Sequence, residues 1–399
     1  MSSFDPDDRR TPRATSFEDG FAAISGGMSG DPVDCCDAGD GCDAVPATAP
    51  GSAGGADFAV SPVSRRTFLK GLVGAAGVFA FGGGNFGRAQ DDRTSIRLAF
   101  CSQLLCVVPY EFTRARGYFS VEGLDVELVY TRGGGAAMQA LQGGAVDYAA
   151  TSFDAALNAF ANGAQVRRFA TTGRLPLFAL VTAPEHAAEL TTVADLAGRT
   201  IGVSALGNAD HVLVLYLLQQ AGVDASSVSF AALGVNLYHA LRLGQVDAGM
   251  VQEPSLSLLE DDGAATLFNA MRIEEAEAAF GGAYEFMGVA VRADELAERQ
   301  EQMEALASAL TLGLRALKTA PVDELVDALP AELIAGDDTE RLRGILERYR
   351  GSLYPDDVLI DVDACRRVEE AHRLAGLRDE PVDLGTFLAT DVLAAASGD

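Results

Sequence analysis

The chain has 399 residues and carries 57 acidic against 30 basic side chains, a formal net charge of −27 at pH 7. So acidic a surface argues against nucleic acid and anionic membranes as partners, because both repel negative charge. The length indicates two domains or one large one, and 48% of the residues are hydrophobic, which is ample for a core.

An export signal is predicted over 64–89. The pair Arg65-Arg66 precedes a Gly- and Ala-rich apolar run over 71–86, which Gly87-Arg88-Ala89 follows, and twin arginines are typical of the route that exports folded proteins. The run has about 16 residues, fewer than the roughly 20 that a membrane span needs. We expect the twin-arginine translocase as an export partner, and a mature protein in the periplasm or at the cell exterior. Cleavage after Ala89 and retention of the signal as a membrane anchor are both left open.

The segment before the signal, 1–63, is predicted to be a disordered extension. It is rich in Asp, Gly, Ser, Ala and Pro and has little to bury. Cys35, Cys36 and Cys42 lie within it, but a tetrahedral metal site needs four ligands with folded support. No metal site is therefore predicted there.

From residue 94 onward, strands and helices are predicted to alternate, which is typical of an α/β fold. Strands are expected over 96–100, 126–130, 147–150, 166–171 and 177–182, and helices over 110–116, 136–142 and 154–161.

A second unit of the same kind begins near residue 190. Strands are predicted over 200–203, 228–233 and 248–251, helices over 192–196, 208–221 and 238–243, a returning strand over 286–291, and a helical tail from 301 with its longest helix over 302–318. Residues 140–149 are echoed by 240–249, each a helix end, a Gly, an Asp and a strand. The echo predicts two similar lobes: 90–186 with 287–399 as lobe I, and 187–286 as lobe II.

At these residues the chain resembles the solute-binding proteins of ABC importers for nitrate, sulfonates, taurine and bicarbonate, a group that shares its fold with thiamine-precursor synthases. The matching pieces are Arg116-Gly117-Tyr118-Phe119, Glu122-Gly123-Leu124-Asp125-Val126, the turn over 143–147, Asp195-Leu196-Ala197-Gly198-Arg199-Thr200-Ile201-Gly202-Val203, Gly244-Gln245-Val246-Asp247-Ala248 and Glu253-Pro254.

The resemblance implies a two-lobe periplasmic-binding-protein fold of type II. Each lobe would be a mainly parallel sheet flanked by helices, and two hinge crossings would lie near 184–189 and 283–286. The implied function is capture of a small molecule in the interlobe cleft and delivery to an ABC permease and ATPase complex. Catalytic residues, cofactors and metals are not expected.

The ligand is expected at strand ends and helix N-termini, whose free N–H groups favour anions. By matching positions, the candidate ligand-binding residues are Ser102, Gln103, Thr151, Ser152, Ser204, Asn208, His211, Glu253 and Tyr284. Seven of them have a structural alternative: a helix cap for Thr151, Ser152 and Asn208, a loop position for Ser102, a satisfied helix histidine for His211, a helix or hinge bond for Glu253, and packing behind the cleft for Tyr284. Arg174 is the one plausible cation for the pocket, with surface solvation as its alternative.

Two other binding functions stay open. A carrier of a thiamine pyrimidine precursor or a flavin could hold a flat ring between aromatic side chains such as Tyr110, Phe153 and Tyr284. A ligand-sensing clamp for a receptor would have the same fold, and the sequence does not separate it from a transport protein.

The cysteines after the signal argue against an enzyme of the synthase type. Cys101, Cys106 and Cys365 do not reproduce a cysteine-rich motif, and their odd number permits at most one intrachain disulfide. The chain also lacks Gly-x-Ser-x-Gly, His-Glu-x-x-His and a Gly-Lys-Ser/Thr phosphate loop.

Overall fold

The computed structural model describes residues 93–334 and 338–394; the predicted signal, the N-terminal extension and its cysteines lie outside them. The strands are β1 (Thr94–Cys101), β2 (Leu124–Thr131), β3 (Tyr148–Ser152), β4 (Val166–Gly173), β5 (Ala179–Thr182), β6 (Thr200–Val203), β7 (Ser229–Ala232), β8 (Ala248–Val251), β9 (Thr266–Asn269) and β10 (Met287–Arg292). The helices are α1 (Leu104–Ala115), α2 (Tyr118–Val121), α3 (Gly134–Gln142), α4 (Phe153–Ala161), α5 (Ala209–Gln220), α6 (Leu237–Arg242), α7 (Ser255–Asp261), α8 (Ile273–Phe280), α9 (Gln300–Thr319), α10 (Val322–Asp327), α11 (Thr339–Leu353), α12 (Val362–Leu374), α13 (Leu384–Phe387) and α14 (Asp391–Ala394).

Two sheets of the same topology organise these elements. Their strand orders are β2-β1-β3-β10-β4 and β7-β6-β8-β5-β9, so β1 is equivalent to β6, β2 to β7 and β3 to β8. In each sheet these three strands run parallel, and β10 or β5 pairs antiparallel with its neighbours. The predicted α/β class with two mainly parallel, helix-flanked sheets is confirmed. We call the first sheet with its helices lobe I, and the second lobe II.

The first crossing between the sheets lies earlier than predicted. Because β5 pairs with β8 and β9, it belongs to lobe II, and the chain passes between the sheets over 174–178. The prediction placed the crossing near 184–189 and the strand over 177–182 in lobe I. It was wrong, because this strand lies after the crossing, in lobe II. Every residue of β5 is buried, and an apolar run of this kind does not reveal which sheet it joins. The return crossing follows α8 over 281–286 and includes the predicted stretch 283–286.

Helix α1 begins six residues before its predicted start, despite Pro109 in its interior. Proline has no N–H to donate to the carbonyl four residues earlier, which usually disfavours a helix interior. Here that carbonyl, on Leu105, accepts a hydrogen bond of 2.7 Å from the Tyr354 hydroxyl. A partner 249 positions away along the chain thus satisfies the group that proline leaves open.

The predicted internal echo is also present in three dimensions. Asp147 precedes β3, and its carboxylate accepts the backbone N–H of Arg97 at 2.8 Å. Asp247 precedes β8 and accepts the backbone N–H of Thr200 at 2.7 Å. Each aspartate therefore fixes the register of two neighbouring parallel strands, which accounts for its recurrence in the two lobes.

The helical tail contacts both lobes. Helix α9 packs on α1 and α2 of lobe I, whereas α12 packs on α4 of lobe I and α5 of lobe II. A buried pair, His372 Nε2 and Asp154 Oδ1 at 2.7 Å, joins α12 to α4. Asn269 at the end of β9 donates to the Tyr349 hydroxyl on α11 at 2.9 Å. The assignment of the whole tail to lobe I stays a prediction. Among the helices within 93–334 and 338–394, none is both long and apolar enough to cross a bilayer.

Candidate ligand-binding site

The carboxyl ends of the parallel strands define the candidate site. In lobe I, β1, β2 and β3 lead into α1, α3 and α4, and in lobe II, β6, β7 and β8 lead into α5, α6 and α7. Helix N-termini therefore collect at one edge of each sheet. Lobe I contacts the edge of lobe II, where Asn158 on α4 donates to the carbonyl of Gly207, just before α5, at 3.4 Å.

The loop after β1 carries the first two predicted site residues. Ser102 is buried, and both its backbone N–H and its hydroxyl donate to the carbonyl of Thr131 at the end of β2, the hydroxyl at 2.8 Å. Gln103 occupies the N-cap of α1 without a side-chain cap bond. A disulfide joins Cys101 and Cys106 across this loop, the one intrachain bridge that the cysteine count permits.

Thr151 meets the N-terminus of α3. Its side-chain oxygen is fully buried and has no hydrogen-bond partner within the part of the chain that the structure describes. A Cβ on Gly134, the first residue of α3, would lie 2.0 Å from that oxygen, so only glycine permits the approach. No side chain caps α3, and no residue of 93–334 or 338–394 accepts the N–H groups of Gly134 and Gly135. Three donors without a partner among the described residues therefore lie close together: the Thr151 hydroxyl and the N–H groups of Gly134 and Gly135.

Ser152 is the N-cap of α4. Its hydroxyl accepts the backbone N–H of Ala155 at 3.2 Å, which is the capping role given above as its alternative. The side chain is half-buried and follows Thr151 directly at the strand end.

The loop after β6 is organised by Asp210, which the sequence analysis did not identify. Its buried carboxylate accepts the backbone N–H of Ser204 and, at 2.8 Å, the Ser204 hydroxyl. Burial raises the pKa of Asp210, and the bonds from Ser204 oppose that shift. Asn208 is the N-cap of α5, but its amide donates to the Ser204 hydroxyl at 3.0 Å instead of capping the helix. Ser204 and Asn208 are therefore brought together.

His211 bonds the same loop through its imidazole ring. Its Nδ1 accepts the backbone N–H of Gly207 at 3.0 Å, and its ring lies edge-on to Phe230. Burial lowers the pKa of His211. A histidine that is neutral near pH 7 cannot supply a positive charge to an anionic ligand.

Glu253 and Tyr284 make the contacts of their structural alternatives, and their contact with a ligand stays a prediction. The Glu253 carboxylate accepts the N–H and hydroxyl of Ser257 in the first turn of α7, and burial raises its pKa. Tyr284 is 2% exposed and packs on Phe280, and burial raises its pKa well above the usual range.

The role of Arg174 as a pocket cation stays a prediction. Its guanidinium donates to the carbonyls of Ser352 and Gly351, both at 2.9 Å, and so ties the first crossing to the end of α11. Arg132 is closer along the chain to the start of α3. It is exposed and directly precedes Gly133, the N-cap of that helix.

A buried ion pair beneath the site was not predicted. Arg168 on β4 is fully buried, contacts Glu285 at 3.1 Å and donates to the carbonyl of Thr151 at 3.0 Å. It also donates to the Phe286 carbonyl at 3.1 Å, so it links the Thr151 strand to the return crossing. The sequence shows only an arginine pair at the start of a strand, Arg167-Arg168, and does not reveal that one member turns inward.

In the two described ranges, no group of three or more His, Cys, Asp or Glu side chains is arranged to hold a metal ion.

Comparison with known proteins identifies relatives of this arrangement. Residues 107–324 match a family model described as NMT1/THI5 like. A solved protein from Bordetella bronchiseptica RB50 is 26% identical, with a TM-score of 0.66 over 77% of this chain and 98% of that one. The periplasmic nitrate-binding protein NrtA from Synechocystis PCC 6803 is 13% identical, with a TM-score of 0.63 over 77% of this chain and 89% of its own. The periplasmic aliphatic sulphonate binding protein SsuA from Escherichia coli is 16% identical, with a TM-score of 0.58 over 75% and 98%. No curated protein matches the sequence. These structures show that the chain has the two-lobe fold of periplasmic binding proteins.

Proposed function

The chain belongs to the NMT1/THI5-like family, and from that premise we propose that it is an extracytoplasmic solute-binding component of an ABC importer. In this proposal it captures a small molecule between the carboxyl edges of the two sheets and presents it to a permease and ATPase complex. Export by the twin-arginine route, cleavage of the signal or its retention as an anchor, and a periplasmic or exterior location belong to the same proposal.

The observation that carries the proposal is the α3 start beside Thr151. An unpaired buried hydroxyl costs free energy, about 1–3 kcal/mol, so its presence next to unpaired helix N–H groups calls for a partner. Because a helix N-terminus has positive potential, the fitting partner is an acceptor-rich or anionic group. The net charge of −27 does not prevent an anion from binding. Exposed charges far from the site are screened by salt, whereas the N–H donors contact the bound ligand directly.

We propose an oxyanion-bearing solute held by N–H and hydroxyl donors. Among the fold relatives, one is named for nitrate and another for aliphatic sulphonates, and both ligands carry oxygens of this kind. Burial lowers the pKa of His211, and the Arg174 guanidinium donates to carbonyls of α11, so the proposal relies on neither side chain as a cation. Ser204 and Asn208 would contact the solute from lobe II, and Ser102 and Gln103 from lobe I.

The positions of Tyr110 and Phe153 do not support the alternative function as carrier of a flat ring. Tyr110 bonds Thr172 and stacks on Phe100, and Phe153 packs on Phe387. Each of these two side chains is fully buried in the core. A pyrimidine precursor or flavin would need other contacts, and a sensing role would use the same solute site.

Thermal melting of the purified exported protein tests the proposal. The solutes are nitrate, bicarbonate with calcium, taurine, alkyl and aryl sulfonates, thiamine precursors and riboflavin. A ligand at 100 times its Kd adds about 2.7 kcal/mol to the free energy of unfolding, which shifts the melting temperature by several degrees. A shift with an oxyanion class supports the proposal, and a shift confined to riboflavin or thiamine precursors would replace it with the ring-carrier function.

Matched variants then locate the site. Asn208→Ala should weaken binding of the active solute without unfolding the protein, because Asn208 is exposed at the lobe II edge. Thr113→Ala is the control for loss of a threonine in the core. Thr113 is buried near the C-terminal end of α1, and its hydroxyl donates to the Pro109 carbonyl. Unchanged affinity in both Asn208→Ala and a Thr151 variant would contradict the site assignment.

A further inference from the structure

The disulfide lies inside the candidate site. Cys101 is the last residue of β1, and Cys106 lies in the first turn of α1. The two half-cystines are 4% and 1% exposed, so the bridge is covered by protein. Strand β1 runs between β2 and β3 in the sheet, which places the loop beside both the β2 end and Thr151.

The residues that the bridge encloses are those expected to meet the solute. Ser102 and Gln103 lie between the two cysteines, and the Gln103 side chain makes no hydrogen bond to any residue of the described ranges. Leu104 and Leu105 open α1, and their backbone N–H groups likewise have no acceptor there. The loop therefore presents an amide side chain and two helix N–H donors at the sheet edge.

The rest of lobe I does not depend on the bridge for its attachment. Strand β1 is hydrogen-bonded along both edges, α1 packs on α9, and the Tyr354 hydroxyl bonds the Leu105 carbonyl at 2.7 Å. A bridge between residues five positions apart also closes a very short loop, so it restricts the unfolded chain less than a bridge across a long loop would. What it restricts most is the local path from the end of β1 to the start of α1.

We propose that the Cys101–Cys106 disulfide is a positioning element of the solute site. It holds Gln103 and the first N–H groups of α1 in one orientation, so that binding does not have to order them. Solute affinity then depends on oxidation of this pair, whereas the fold of lobe I does not. The affinity part of the inference rests on the proposed solute-binding function; the ordering of the loop does not.

The test compares the wild-type protein with the double variant Cys101→Ala/Cys106→Ala, both purified after export. Site-resolved hydrogen exchange follows the amides of Ser102 and Val107, which bond the Thr131 and Gln103 carbonyls in the loop. We expect at least tenfold faster exchange at these amides and unchanged exchange in β3 and α9. Cys365→Ala, which removes a buried free thiol elsewhere, should leave the loop amides unchanged.

Calorimetric titration with taurine and with nitrate supplies the second readout. For a probe that binds the wild type, we expect a loss of affinity of about tenfold in the double variant, with a melting temperature lowered by only a few degrees. Unchanged loop exchange would overturn the proposal, and so would a uniform rise of exchange through β3 and α9, which would make the bridge a general support of the lobe. If neither probe binds the wild type, the proposed oxyanion function loses support, while the exchange result still decides whether the bridge orders the loop.

Discussion

The equivalent loops after β1 and β6 are held by different chemistry. In lobe I a disulfide and the Ser102 bonds to the Thr131 carbonyl hold the loop, and neither involves a group that titrates near neutral pH. In lobe II the Asp210 carboxylate holds Ser204, and the His211 imidazole holds Gly207. Two copies of one topology thus stabilise the same turn by means that respond to different conditions. Lobe I should respond to redox state, and lobe II to acid.

The largest expected effect is on lobe II. Asp210→Ala leaves both the N–H and the hydroxyl of Ser204 without their acceptor, which should cost about 3 kcal/mol because two donors next to a buried position lose their partner. Urea unfolding at pH 7 measures the loss. Ser102→Ala in lobe I is the matched control and should cost about 1 kcal/mol, because its acceptor carbonyl still receives the Ser102 backbone N–H. Equal losses in the two variants would remove the distinction between the loops.

The second effect is on lobe I. Cys101→Ala/Cys106→Ala should lower the free energy of unfolding by about 2 kcal/mol, the chain-entropy value for a loop this short. Urea unfolding of the double variant against wild type, both in the absence of reductant, measures the difference. A loss of about 5 kcal/mol or more would mean that the bridge carries native packing as well as loop order, and would make lobe I the more fragile half.

The third effect comes from replacing a lobe I residue by its lobe II counterpart. By the internal echo, Thr151 corresponds to Val251, so Thr151→Val gives both strand ends the same side chain. Removing an unpaired buried hydroxyl without changing its shape should raise stability by about 1 kcal/mol. The same change should weaken binding of an oxyanion solute about tenfold, equal to about 1.4 kcal/mol.

Thermal melting of Thr151→Val measures the change in stability, and calorimetric titration of the same variant measures the change in solute affinity. If Thr151→Val lowers stability and leaves affinity unchanged, the hydroxyl has a structural role and the α3 start is not the solute site.

The smallest effect is a pH dependence in lobe II. Burial lowers the pKa of His211 below the ordinary value of 6.5. As the pH falls, the His211 ring is therefore protonated in the unfolded chain before it is protonated in the folded one. The contribution of His211 to stability is therefore complete above pH 6.5 and is lost as the pH falls below that value. His211→Asn, whose amide oxygen can accept the Gly207 N–H, should flatten the stability profile between pH 7.5 and 5.5. An unchanged profile would assign the acid response to other groups.

The sequence predicted the positions of the candidate site residues at the sheet edges better than it predicted their contacts. Strand ends, the glycines before α3 and the Asp147 and Asp247 echo are local patterns, and they placed Thr151, Ser204 and Asn208 at sheet edges. The partners of these residues are distant along the chain or depend on which way a side chain turns. Arg168 reaches Glu285 across 117 positions, and no local pattern marks that pair.

Periodicity, glycine placement and the internal repeat were sufficient by themselves to determine the α/β class and the two similar units. These features depend on interactions within a few residues, which a sequence window contains. The sheet edges at which a ligand would bind stay a prediction. Only the tertiary structure decided that β5 joins lobe II, that Tyr354 completes α1 around Pro109, and that Thr151 keeps an unpaired hydroxyl against Gly134. Each of these depends on burial and on pairing between distant segments, where the free energy of satisfying one polar group selects among arrangements that the local sequence permits equally.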